Sequence, residues 1–322
     1  MKIYVSFWLP EAPLNALREK HTVVVNDKPT LPTPDELVAQ LSDADAFLCV
    51  GSKVDKGVLD RVGPKLKIIA NWGVGYNNID ADYAAQKGIM VTNTPDVLTE
   101  TTADMAWALL MAVARRVVEA DAYVRAGQFQ GFKPFAMMGS DVWGKTIGIA
   151  GFGRIGQAVG RRALGFRMRV LYYDTRRLDS ESERALSATF VDMDTLVKES
   201  DFVSLHVPLI PETHHLISRE RLALMKPTAF LVNAARGPVV DEVALLDALK
   251  GKRIAGAGLD VFEKEPELTP GLAELSNVVL APHIGSGTWE TRTNMGHVAA
   301  RNILAALDGK TPSNLVNSPA GR

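Results

Sequence analysis

The sequence predicts the α/β class: two doubly wound parallel-sheet domains, the second inserted into the first. Three observations carry that reading. Short apolar runs alternate with amphipathic stretches along the chain, and repeated β-then-α builds a parallel sheet covered by helices on both faces. The 322 residues suffice for two domains of about 150 each. A glycine-rich turn lies in mid-chain, between an apolar run and a helical pattern, at residues 151–156.

The elements follow in order. KIYVSF reads as the first strand, PLNALREK as a helix and HTVVV as the second strand. Pro34–Leu41 has helical spacing and an acidic first turn that suits the helix dipole. AFLCV, KIIANW and IMVTN are three further buried strands, each preceded by a polar helical segment. From Thr99 the pattern changes. TETTADMAWALLMAVARRVVEADAYVRAG places Met105, Leu109, Leu110, Val113 and Val117 at helical spacing, which predicts one long helix. Thr101 and Asp104 suit a capping box at its start and Gly127 suits a stop at its end. After a loop rich in Gly, Phe and Met, TIGIA is a strand and QAVGRRAL a helix. MRVLYYD, FVSLHVP, AFLVNAARG, GAGLDVF and NVVLAPH are strands, with DMDTLVKES and DEVALLDALKGK as helices between them. A last helix spans about Trp289 to Leu307, and TPSNLVNSPAGR reads as a partly ordered tail. The expected domains are 1–98 with 285–322, and 99–284.

Composition narrows the partners. Hydrophobic residues make 47% of the chain and charged residues 23%, with 36 basic residues against 37 acidic ones. That balance argues against nucleic acid as a partner, which calls for basic excess. No apolar run approaches the roughly 18–20 residues needed to span a bilayer, so no membrane partner is expected. The N-terminal run, broken by Pro10 and Glu11, reads as a strand and not as a signal peptide. Cys49 is the single cysteine. It offers no intrachain disulfide and no cysteine metal site, which makes the cytoplasm the default compartment. No H-x-x-H or H-E-x-x-H pattern occurs, so no catalytic metal is expected. His21, His214, His215 and His297 read as surface or packing residues.

The turn at 151–156 reads Gly-Phe-Gly-Arg-Ile-Gly, which matches G-x-G-x-x-G in a strand–turn–helix context. Gly151 allows the tight turn, Gly153 lets a pyrophosphate approach the backbone, and Gly156 permits close packing of helix on strand. Arg154 and Ile155 stand in the turn as further cofactor-binding candidates, and the free N–H groups and positive dipole end of the helix that follows suit phosphate. The next strand ends in Asp174, near the offset at which a carboxylate meets the adenosine ribose. A carboxylate there favours NAD(H). Arg176 and Arg177 follow at once and leave NADP(H) possible. A tight β–α turn with no ligand is the plain alternative, and the strand, helix and Asp174 together weigh against it.

Ligands of open α/β sheets bind at the carboxyl ends of strands, so polar residues there are functional candidates. Arg236 follows AFLVN, Asp260 ends GAGLD, Glu265 lies just beyond, and His283 follows VVLAP. A guanidinium, a carboxylate and an imidazole at one sheet edge suit reduction of a 2-oxo acid. Arg236 would bind the carboxylate and polarise the carbonyl. His283 would exchange the hydroxyl proton. Glu265 would orient the imidazole and stabilise its charged form. Singly, each has a plainer reading, as a surface arginine, a loop histidine and a solvated acidic run. The case rests on their combination. His206 lies at another strand end beside Val207 and Pro208 and would line the cofactor site, as would Ala234, Ala235 and Gly285.

These motifs, GFGRIG, HVPL, NAARGPVVDE, GAGLDVFEKEP and APHIGSGT in this order, resemble the D-isomer-specific 2-hydroxyacid dehydrogenases, and the likeness runs from about Asp45 to Asn317. NWGVGYNNID, TNTPDVLTETTADMAWALL and FKPFAMMGSDVWGKTIGI resemble the glyoxylate and hydroxypyruvate reductases within that family. The resemblance implies a Rossmann nucleotide-binding domain inserted into a flavodoxin-like substrate domain. It implies Arg236, Glu265 and His283 as the catalytic set. It further implies that the Val74 and Gly75 amides hold the substrate carboxylate, that Asp260 lies near the nicotinamide carboxamide, and that Thr102 lies near the cofactor. It implies a homodimer and a small 2-oxo or 2-hydroxy acid as substrate, with reduction of glyoxylate to glycolate or of hydroxypyruvate to D-glycerate. Val74 and Glu265 stand where phosphite and formate dehydrogenases of the family carry lysine and glutamine. The short run after the last helix leaves no room for the regulatory domain often found in phosphoglycerate dehydrogenases. A dinucleotide-sensing corepressor on the same fold and a dehydrogenase for a different D-2-hydroxy acid are the alternatives.

Overall fold

The structure, a computed structural model, describes residues 1–318. The chain forms two compact units, Met1–Leu98 with Gly287–Arg322, and Thr99–Ser286.

The first unit runs β1 (Lys2–Val5), α1 (Glu11–Arg18), β2 (Thr22–Val25), α2 (Pro34–Leu41), β3 (Ala46–Cys49), α3 (Lys56–Leu59), β4 (Ile68–Asn71), α4 (Ala81–Gln86) and β5 (Met90–Thr92). Its sheet is parallel throughout, in the order β2-β1-β3-β4-β5. Each residue of β3 and β4 is buried, as expected of strands covered on both faces. The helices start where side chains satisfy their free N–H groups. Thr33 and Glu36 form a capping box on α2, and Asp55 and Asp80 cap α3 and α4.

The second unit runs α5 (Thr99–Ala114), α6 (Val117–Arg125), β6 (Thr146–Ala150), α7 (Arg154–Gly165), β7 (Arg169–Tyr173), α8 (Ser180–Ala185), β8 (Ala188–Phe190), α9 (Met193–Glu199), β9 (Phe202–Leu205), α10 (Arg219–Leu224), β10 (Phe230–Asn233), α11 (Glu242–Lys250), β11 (Gly256–Leu259) and β12 (Val278–Leu280). Its seven strands are parallel, in the order β12-β11-β10-β9-β6-β7-β8. The winding reverses between β6 and β9, which marks the crevice at their carboxyl ends as the ligand site of such a sheet. The chain then returns to the first unit as α12 (Trp289–Leu307). There Ala299, Ile303 and Leu307 pack on Ile3, Val5, Leu48 and Ile68. Two doubly wound parallel sheets are thus the observed architecture. No helix among the described residues is long and apolar enough to cross a membrane.

Two expectations are corrected. The long helix after Thr99 is two helices, α5 and α6, broken at Arg116 with φ +54°. The break is made from outside the segment. The Ala114 carbonyl accepts from the Ser140 N–H at 2.8 Å, and Arg116 donates both to Glu119 and to the Met138 carbonyl. Gly127, at φ +70°, does end α6. Its N–H and that of Gln128 bond back to the Val124 and Tyr123 carbonyls in a Schellman arrangement. The capping box at Thr101 and Asp104 does not form. The helix starts two residues earlier, and the Asp104 carboxylate accepts from Arg162 at 2.7 Å. The tail, expected to be partly ordered, is anchored as far as residue 317. Asn317 accepts from the Val91 N–H and donates to the Ala81 and Ile89 carbonyls.

Candidate active site

The glycine turn sits at the carboxyl end of β6, with α7 leading away. Gly151 has φ +87°, and a Cβ there would lie 2.5 Å from the His206 backbone carbon. Only glycine satisfies both the left-handed backbone and this approach. A Cβ on Gly156 would lie 2.1 Å from the Gly151 carbonyl, whereas one on Gly153 would meet nothing within 4 Å. The turn is therefore tight on its protein side and open at Gly153. No side chain caps α7, so Arg154 and Ile155 begin a helix whose positive dipole end lies at the turn, the kind of end that suits an anion.

The surroundings also fit a dinucleotide. His206 Nε2 lies 2.8 Å from Ser204 Oγ, and its Nδ1 is buried with no partner among the described residues. Burial pushes the ring down to about 4, so it is neutral at physiological pH. A buried, unpaired ring nitrogen beside the turn is a polar group waiting for a partner. Val207 is buried and Pro208 exposed. Asp174 ends β7 and reaches back, Oδ2 accepting from the Phe152 N–H at 2.6 Å and Oδ1 from the Arg176 N–H at 3.3 Å. Arg177 forks onto Glu183. The Arg176 guanidinium is exposed and has no partner among the described residues.

At the other end of this sheet, His283 stands just beyond β12 at φ +54°. Its N–H bonds to the carbonyls of Asp260 and Ala281, which hold the residue in that uncommon conformation. The ring Nδ1 lies 2.9 Å from Glu265 Oε2, while Glu265 Oε1 accepts from the Phe262 N–H at 3.1 Å. Burial pushes the Glu265 carboxyl up. The bond and charge of His283, the Phe262 N–H and the charge of Arg236 outweigh it and hold the group below its ordinary value. An ionised carboxylate only accepts, so Nδ1 carries the proton facing it. The proton that comes and goes is then on Nε2.

Arg236 follows β10. Its Nη1 donates to the Ala235 carbonyl at 2.7 Å, and burial lowers its pKa while the charge of Glu265 opposes that shift. Asp260, at 1% exposure, accepts from the Ile284 and Gly285 N–H groups at 2.7 and 2.6 Å. Burial raises this carboxyl against the pull of those two amides. A Cβ on Gly285 would lie 3.0 Å from Asp260 Oδ2 and 3.6 Å from the Thr102 side chain. Thr102, Asp260 and Gly285 thus meet at one point. The structure also brings Glu265 into electrostatic range of both Arg236 and His283.

In the first unit, the turn after β4 presents backbone amides. The carbonyls of Gly73 and Gly75 accept from the buried Asn71 side chain at 3.2 and 3.0 Å, and the Val74 carbonyl accepts from Asn93 at 2.9 Å. In a planar peptide, C=O and the following N–H point in opposite directions. The Val74 and Gly75 N–H groups are therefore turned away from Asn71 and Asn93. Neither has an acceptor among the described residues. Successive outward amides of this kind bind anions.

Sequence reasoning missed the residues that do this positioning. Asn71 and Asn93 orient the turn. Asn233 bonds to the Ala235 N–H and the Arg236 carbonyl. Glu242, at 4% exposure, accepts from the Glu263 and Thr269 N–H groups at 2.9 Å each and so brackets the loop carrying Glu265. Gly237 lets two backbones touch, since a Cβ there would lie 1.8 Å from the Phe262 carbonyl oxygen. The available signal was an asparagine at the end of a strand entering a glycine- or alanine-rich turn.

Comparison with known proteins supplies relatives. The family described as "D-isomer specific 2-hydroxyacid dehydrogenase, NAD binding domain" matches residues 107–285. A glyoxylate reductase of Thermococcus litoralis is 50% identical over 321 residues, 98% of this chain and 96% of that protein. Among solved structures, a protein of Thermus thermophilus is similar with TM-score 0.92 and 46% identity over 98% of this chain and 100% of that one. An NADPH-dependent glyoxylate/hydroxypyruvate reductase of Sinorhizobium meliloti, in complex with NADP and malonate, is similar with TM-score 0.88 and 32% identity over 99% of this chain and 97% of the other.

Proposed function

The chain belongs to the D-isomer-specific 2-hydroxyacid dehydrogenase family, and we propose that within it the protein is a reductase of glyoxylate and hydroxypyruvate. The observation that carries this is the 2.9 Å bond from His283 Nδ1 to a carboxylate held ionised, with Arg236 beside it. The family's nicotinamide dinucleotide supplies the hydride when bound. The chain's own residues do the rest. The Val74 and Gly75 amides hold the substrate carboxylate. Arg236 binds the 2-oxo acid and draws charge onto its carbonyl oxygen. His283 Nε2 gives that oxygen its proton, and Glu265 keeps the ring oriented and stabilises it while charged. Thr102, Gly151, Gly153, Arg154, Ile155, Gly156, Asp174, His206, Val207, Pro208, Ala234, Ala235, Asp260 and Gly285 face the cofactor, which makes Thr99–Ser286 the cofactor unit and the other the substrate unit. Loss of NADH absorbance with glyoxylate, hydroxypyruvate, pyruvate and phenylpyruvate tests the reading. Turnover fastest with the first two is expected, and no turnover with either overturns it.

NADH is the preferred reductant in this reading. Asp174 faces the ribose position as a fixed carboxylate, and a 2′-phosphate there is a like-charge contact. Arg177 is engaged by Glu183, so only Arg176 is left to offset it. Asp174→Ser should therefore move the kcat/KM ratio toward NADPH by about tenfold. A preference for NADPH in the unmodified protein would overturn the assignment. The protein acts as a cytoplasmic homodimer. Val117, Val118, Val124, Phe129, Phe132 and Phe135 expose apolar surface in the cofactor unit, more than an isolated surface calls for. Light scattering at micromolar protein should give twice the chain mass, and a monomer would count against that face as an interface.

A further inference from the structure

A second histidine–glutamate pair lies in the same unit, and neither side chain was given a chemical role above. His214 and His215 follow the turn at 211–213 with their rings stacked, 4.1 Å between centroids. His215 Nε2 lies 2.9 Å from Glu263 Oε1. One ligand atom from each of His214, His215 and Glu263 lies within 4.8 Å of the other two. His214 is exposed, and the other two are half-buried.

We propose that His214, His215 and Glu263 form a binding site for a divalent transition-metal ion of the zinc class. Two imidazole nitrogens and a carboxylate oxygen are the donor set that zinc takes, with water in the fourth position. Bonds of about 2.0–2.2 Å put tetrahedral ligand atoms about 3.4 Å apart. His215 and Glu263 are already closer than that, and His214, which no other side chain among the described residues engages, closes the set by side-chain rotation. The site has outer support, as metal ligands require. Glu263 Oε2 accepts from the Glu242 N–H at 3.1 Å, which leaves Oε1 to face the histidines. The His215 N–H bonds to the Pro238 carbonyl at 2.8 Å and holds the residue at φ +51°. On binding, the metal takes the place of the proton between His215 Nε2 and Glu263 Oε1. His215 Nδ1 carries the ring's proton, so the ring binds as neutral imidazole, the carboxylate binds ionised, and any surplus proton leaves to solvent. No electron is transferred. The ion then anchors Glu263, two residues before Glu265, and so braces the loop that carries Glu265.

The test is a zinc titration against a chromogenic chelator, with cobalt(II) absorption as a second readout, on the full chain and on His214→Ala, Glu263→Gln and His283→Ala. The unmodified protein and His283→Ala should bind one zinc per chain. They should also show the intense visible bands of tetrahedral cobalt and a rise in Tm with added zinc. His214→Ala, an exposed position, should fold normally and bind at least about tenfold more weakly, and Glu263→Gln should do the same. No stoichiometric binding, or equal binding by His214→Ala, overturns the site. Loss in His283→Ala with retention in His214→Ala also overturns it, by assigning the ion to the His283–Glu265 pair. None of these readouts uses turnover, so they stand apart from the reductase reading.

Discussion

Two histidine–glutamate pairs share one domain and one separation, 2.9 Å, yet they differ in what they leave free. At His283 the carboxylate takes Nδ1, which leaves Nε2 as the nitrogen for proton exchange. At His215 the carboxylate takes Nε2, and the neighbour is a second imidazole instead of a guanidinium. Both histidines sit at positive φ, +54° and +51°, so backbone conformation does not separate them. The engaged nitrogen and the third group do. A distance alone assigns no chemistry to a His–Glu pair.

The comparison breaks most easily on the histidines themselves. His283→Ala should lower kcat by about 10²–10⁴-fold, the usual contribution of a positioned acid–base group. His215→Ala should leave kcat largely intact and act on stability. Steady-state kinetics on both variants decides the matter, and equal losses would show that the two pairs are not functionally distinct.

The glutamates give the next largest contrast. Glu265→Gln removes a negative charge that favours the protonated ring. It should cost about tenfold in kcat and move the alkaline limb of the rate profile to lower pH. On the acid side the sign is fixed by the depressed carboxyl of Glu265. Its bond to His283 contributes fully above the ordinary carboxylate value and is lost as pH falls through the depressed one. The unmodified enzyme should therefore keep this contact to lower pH than an ordinary carboxylate allows. Glu263→Gln keeps an acceptor for the Glu242 N–H, so it should cost only about 1 kcal/mol, or about 2–4 °C in Tm. An unmoved alkaline limb in Glu265→Gln would remove that residue from the role.

The two pairs also differ in how far the sequence revealed them. His283, Glu265 and Arg236 stand just past apolar strands, where period and fold class locate the ligand edge of a parallel sheet. The strands were legible because β3, β4, β6, β9 and β10 are mostly apolar and buried, and three-residue β8 was not because ATF is too short to show a period. His214 and His215 lie in a turn, and their partner is 48 residues away. No local pattern joins them. The same holds for the break after Ala114, which depends on Ser140. It holds again for Asn93 and Glu242, whose side chains bond to backbone far along the chain, whereas Asn71 and Asn233 bond close by and leave only an asparagine at a strand end as their sign. Side chains that shape a turn from a distance leave no period to read.

The smallest effect is expected at His214 in metal-free buffer. Its ring is exposed and stacks on that of His215. Such a pair is worth about 0.5–1.5 kcal/mol when well packed, and solvent on one side takes this one to the lower end. His214→Ala should therefore shift Tm by no more than about 2 °C and leave kcat unchanged. The small size is informative. A large loss of stability without metal would mean that the stack, and not a vacant ligand, explains why two histidines sit face to face beside Glu263. A silent substitution that becomes visible only when zinc is added would separate this pair from His283–Glu265, where the imidazole is needed whether or not metal is present.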